Sequence, residues 1–82
     1  MKEIEWSRES LDDLAALDKG VARRIKQAIE RFAHTGSGDI KKLQGIDPPE
    51  FRLRVGDYRI RFHTHGETLQ ILRVHNGKDA YR

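Results

Sequence analysis

Four arginines, Arg52, Arg54, Arg59 and Arg61, stand at alternate positions on either side of a Gly56-Asp57 pair. A guanidinium stays charged at neutral pH and presents a planar fork of N–H donors that matches the oxygens of a phosphate. Two alternating runs split by a two-residue, glycine-containing loop predict a β-hairpin. With Gly56 and Asp57 as the loop, Val55 faces Tyr58, Arg54 faces Arg59, Leu53 faces Ile60 and Arg52 faces Arg61. Alternation then sends Phe51, Leu53, Val55, Tyr58, Ile60 and Phe62 to a core side and all four arginines to the other. Like charges directly opposed across a sheet destabilise it, whereas opposite charges would contribute about 0.2–1 kcal/mol. The expectation is an anion site, most simply for nucleic-acid phosphate. The plain alternative is a solvated face whose arginine stems cover apolar surface. Residues i and i+2 of a strand lie about 6–7 Å apart, close to the step between successive phosphates, which favours the anion site.

Other residue types able to do chemistry are sparse. His63, His65 and His75 are the side chains that ordinarily titrate near neutral pH, so a proton-transfer role falls to them if to any. His63-x-His65 with His75 imitates a metal site, but no carboxylate stands at supporting spacing and no metal is expected. His34 is expected at a helix C-terminus, where its charge suits the dipole. Trp6 and Tyr58 read as core residues. Arg23, Arg24 and Arg31 read as a solvated helix face or a partner contact.

These residues need elements to position them. Ile4 and Trp6 alternate with Glu3, Glu5 and Ser7 as a short strand. Ser7 reads as an N-cap with Glu9 in the first turn. Leu11, Leu14, Ala15 and Leu17 form a first helix, with Gly20 expected to part it from a second. Val21, Ile25, Ala28, Ile29 and Phe32 form the apolar stripe of that second helix, which ends at Thr35-Gly36-Ser37-Gly38. Residues 39–50 stay open apart from Leu43, expected to point inward, and Asp47-Pro48-Pro49, which forbids helix. The hairpin follows, then a turn at His65-Gly66-Glu67 and a strand from Leu69 to Val74 with both faces partly apolar. The expected fold is α+β in the order β-α-α-β-β-β, a helical hairpin packed on one face of a mostly antiparallel sheet.

Eighty-two residues make a single domain, residues 1–82. Hydrophobic residues are 37% and charged residues 35%, a globular balance near its polar end. With no cysteine, neither disulfides nor thiolate metal sites can brace the fold. No apolar run approaches the roughly 20 residues of a membrane span and the N-terminus does not read as a signal peptide, so a cytoplasmic location is expected. Residues 1–50 hold nine Lys or Arg against ten Asp or Glu, a net −1, and residues 51–82 hold seven against three, a net +4. Polyanion binding is therefore expected in the C-terminal part.

Trp6-Ser7, Lys42-Leu43-Gln44-Gly45, Phe51 to Ile60, Ile71-Leu72-Arg73-Val74 and the terminal Tyr81-Arg82 together resemble the RelE/ParE toxin superfamily over nearly the whole chain. The resemblance implies a toxin held in check by a cognate antitoxin, meeting operator DNA only through that complex. In the RelE branch it implies cleavage of mRNA in the ribosomal A site, with the ribose 2′-OH attacking the adjacent phosphate. No cofactor and no membrane contact are implied. Matched by motif, Arg52, Arg54 and Arg59 are the implied phosphate-binding catalytic residues and Tyr81 the late tyrosine. The arginine usual after the last strand falls on Gly77 or Lys78, and Lys78 is assigned. Arg61, Arg73 and His75 are expected RNA contacts. Two rival functions are a ParE-like toxin that binds and poisons DNA gyrase, and an inactive module that binds only antitoxin or DNA.

Overall fold

The structure, a computed structural model, describes residues 2–77. A short strand β1 (Glu3–Trp6) leads into helices α1 (Arg8–Ala15) and α2 (Lys19–Thr35). Strands β2 (Asp39–Lys42), β3 (Phe51–Val55), β4 (Tyr58–His65) and β5 (Thr68–Asn76) follow. They form one five-stranded sheet in the order β1-β5-β4-β3-β2, antiparallel except for the β1–β5 pair.

The α+β class and the helical layer are as expected, and the helices are followed by one strand more than the sequence reading counted. The extra strand, β2, lies in the segment left open. Its four residues turn only Ile40 toward the core, too little alternation to register in the sequence. The helix boundary also differs. Asp18, not Gly20, opens α2, because its carboxylate accepts the Gly20 N–H at 3.0 Å and satisfies a donor that the helix start leaves bare. Ser7 caps α1 as expected, accepting the Ser10 N–H at 3.0 Å. Gly36 ends α2 in the left-handed conformation that glycine adopts without penalty.

The core lies between the helices and one sheet face. Leu14 of α1 and Ile25, Ile29 and Ala33 of α2 pack against Leu53, Ile60, Phe62, Leu69, Ile71 and Val74. Ile60 and Leu69 are wholly excluded from solvent. Burying each side chain of this size contributes about 1.5–3 kcal/mol. The helices occupy that face, and the arginines project from the other.

The last strand departs from simple alternation. Arg61 pairs with Arg73 but Phe62 pairs with Ile71, so Leu72 is an extra residue bulged out of register. The bulge explains why both faces of this strand read as apolar. Leu69 and Ile71 point inward by parity, and Val74 points inward because the parity has flipped. It also places Arg73 on the arginine face, where strict alternation would have sent it into the core.

Candidate nucleic-acid interface

Register carries the arginines into two rows across the sheet. His75, Arg59, Arg54 and Asp39 lie side by side on β5, β4, β3 and β2. Arg73, Arg61, Arg52 and Lys41 form the adjacent row. Strands stand about 4.8 Å apart, so each row spans roughly 14–15 Å. The opposed pairs Arg54–Arg59 and Arg52–Arg61 are those the hairpin reading gave, and β2 and β5 extend them on both sides. Lys41 was not foreseen, since its strand was not.

Two carboxylates meet this patch from its margins. Glu50 is buried and binds Arg61 through both oxygens, Oε2 accepting from Nε at 3.0 Å and Oε1 from Nη2 at 2.9 Å. Asp13 reaches over from α1 and accepts from Arg73 Nε at 2.9 Å and Nη2 at 3.1 Å. Arg61 and Arg73, both expected as RNA contacts, are thus engaged with acidic partners. Glu50 shares the parity of Arg52 and Arg54, a signal in the sequence that pointed to the arginine face. Asp13 lies 60 residues from Arg73 and had no local signal.

Arg54 is exposed and its Nε donates to the Gly56 carbonyl at 3.3 Å. Arg52 and Arg59 are half-buried, and each makes interactions of its own. The chain leaving β5 closes on Arg59. The Gly77 N–H donates to the Asp57 carbonyl at 2.5 Å, and a side chain at Gly77 would stand 3.0 Å from Arg59 Nε and 2.9 Å from that carbonyl. Glycine here lets the chain pass directly beside the guanidinium. His75 neighbours Arg59 across the ladder. Lys78 and Tyr81 lie outside the described residues. Among the described residues no group of three or more His, Cys, Asp or Glu is placed to hold a metal ion. No helix among them is long and apolar enough to cross a membrane.

The Asp13 contact links α1, sheet and charge. Because β1 stops at Trp6, β5 beyond Ile71 lacks a neighbouring strand there, and α1 supplies what is missing. Ser7 Oγ donates to the Leu72 carbonyl at 2.7 Å, and Asp13 accepts the Val74 N–H at 2.8 Å. The Arg73 hydrogen bond, opposed by burial and helped by the Val74 N–H, holds the Asp13 carboxyl below its ordinary value, while Asp13 raises Arg73 in turn. A carboxylate with a depressed folded-state value stabilises fully above its unfolded value and loses that contribution as pH falls through the folded one. Asp13→Asn should therefore cost about 1–2 kcal/mol at neutral pH, a figure discounted because the Arg73 side chain is 43% exposed. The gap from wild type should close in strongly acid solution, as read by urea unfolding across that range. A pH-independent gap would mean that the charge is not the cause.

A two-helix layer thus lies behind a five-stranded sheet whose open face concentrates arginine. Residues 4–81 match the family described as ParE toxin of type II toxin–antitoxin system, parDE, and the chain belongs to it. Within that family it is RelE-like. It is 31% identical over 83 residues to Toxin RelE3 of Methanocaldococcus jannaschii, covering 95% of this chain and 93% of that one. Its fold matches the RelB–RelE antitoxin–toxin complex from Methanococcus jannaschii with a TM-score of 0.76 at 31% identity, covering 94% of each chain. The isolated E. coli RelE toxin shares the fold alone, with a TM-score of 0.76 at 14% identity over 93% of this chain and 84% of that one.

Proposed function

We propose that this toxin is a ribosome-dependent endoribonuclease that cuts mRNA in the A site through attack of a ribose 2′-OH on its adjacent phosphate. The observation that carries this reading is the convergence of Arg52, Arg54 and Arg59 in neighbouring rows of one helix-free sheet face, with Lys41 beside them. Cleavage of this kind builds negative charge on a five-coordinate phosphorus, and fixed guanidinium donors stabilise that charge without reorganising. Arg59, flanked by Arg54 and His75 and braced by Gly77, takes the scissile phosphate. Arg52 and Arg54 hold the strand beside it. Arg61 and Arg73, each bound to a carboxylate, hold the face in shape, with direct RNA contact secondary. His75, as neighbour of Arg59, is the described residue best placed to exchange a proton with the reacting strand. Lys78 is assigned to the leaving oxygen and Tyr81 to stacking on a base, both on the family motif.

The partner in this reading is a cognate antitoxin, as in the RelB–RelE complexes of similar toxins. Mapping mRNA ends in a translation extract tests the whole. Cuts that need translating ribosomes support the nuclease. An intact message together with stalled gyrase–DNA complexes would overturn it in favour of the ParE-like reading.

A further inference from the structure

Glu50 and Asp13 both serve the β4–β5 side of the arginine face, one at Arg61 and the other at Arg73. Toward the opposite edge of the sheet, the sign of the charge depends on the row. The row through Arg59 and Arg54 ends on Asp39, and the row through Arg61 and Arg52 ends on Lys41. Both end residues are exposed, and among the described residues Lys41 forms no ion pair. A phosphate backbone leaving Arg59 along its own row therefore meets a carboxylate on β2. If it crosses to the adjacent row it meets Arg52 on β3 and then Lys41 on β2, a cation each time.

Register fixes the side to which Lys41 belongs. It stands opposite Arg52, whereas Ile40 stands opposite the buried Leu53 and packs on the core. Lys42 stands opposite Phe51, which also packs on the core, so Lys42 belongs to the helix side of the sheet. Edge strands carry lysine to discourage pairing with another chain, and either lysine would serve that purpose. Only Lys41 shares a face with the arginines. Strands about 4.8 Å apart and a two-residue offset of about 6–7 Å put Lys41 roughly 12 Å from Arg59 along the diagonal. That is about two of the strand's i to i+2 intervals, each of which matches the step between successive phosphates.

Resting on the nuclease reading, we propose that Lys41 is a phosphate subsite for the message, holding the linkage about two nucleotides from the cut. The test uses ribosomes programmed with synthetic messages in which phosphates flanking the cut are replaced, one at a time, by an uncharged methylphosphonate. Lys41→Met should raise the toxin concentration for half-maximal cutting about fivefold, the upper worth of one exposed charge pair. Lys42→Met, on the same edge but the other face, should leave it unchanged. In wild type one neutral linkage should reproduce the Lys41→Met loss, and in Lys41→Met that linkage should cost nothing more, because the pair is already broken. No loss in Lys41→Met, or an equal loss in Lys42→Met, would overturn the subsite and leave the nuclease reading standing. So would a Lys41→Met loss that no neutral linkage reproduces, which would put the lysine against ribosomal RNA instead. Failure of wild type to cut any message would overturn the nuclease reading and the subsite with it.

Discussion

Arg59→Ala is expected to lower mRNA cleavage by about 10²–10³-fold, the loss seen when one preorganised donor to a developing oxyanion is removed. What makes the result diagnostic is that stability should not fall with it. Arg59 faces Arg54 on one side and His75 on the other, so its removal takes away a like charge opposed across the β3–β4 pair. Its stem is half-buried but stands on the face away from the core. Thermal unfolding of the variant should stay within a few degrees of wild type. Undiminished cleavage would refute the role given to Arg59, and loss of activity with loss of fold would make it structural.

Glu50→Ala is expected to destabilise the protein by about 2–4 kcal/mol in urea unfolding. Breaking a buried pair by removing one member costs roughly 3–5 kcal/mol, since the other charge is left without compensation. The lower part of the range applies because the Arg61 side chain is 37% exposed and can reach water. Replacing both together, as Glu50→Leu with Arg61→Met, should restore most of the loss, because an apolar pair of similar volume carries no desolvation cost. A double variant as unstable as the single one would show that the segment around Pro49 depends on Glu50 for something besides its charge partner.

Most of the architecture could be read where a pattern extends over several residues. The hairpin register, the arginine face and the stripe Ile25–Ile29 all repeat often enough to fix a period. What could not be read depended on single residues or distant pairings. The bulge at Leu72 inverts parity for the rest of β5, and an alternating pattern does not announce one added residue. β2 has one inward side chain and borrows its regularity from β3. The Asp13–Arg73 contact joins residues that meet only after α1 has been laid across the end of β5. The interface was legible in its cations, and of the carboxylates that engage two of them only Glu50 left a trace in the alternation.

The strand order has a consequence for synthesis. β1 is made first, yet its sheet neighbour is β5, and no other strand of the described chain pairs with it. Ser7 and Asp13 likewise each reach a backbone partner on β5. Sheets assembled from contacts so distant in sequence form slowly, because the loop must close before any contact rewards it. A nascent chain that has delivered everything up to β4 therefore lacks the strand that joins its two ends. The sheet cannot close until β5 has been made, so the fold is completed only at the end of the described chain.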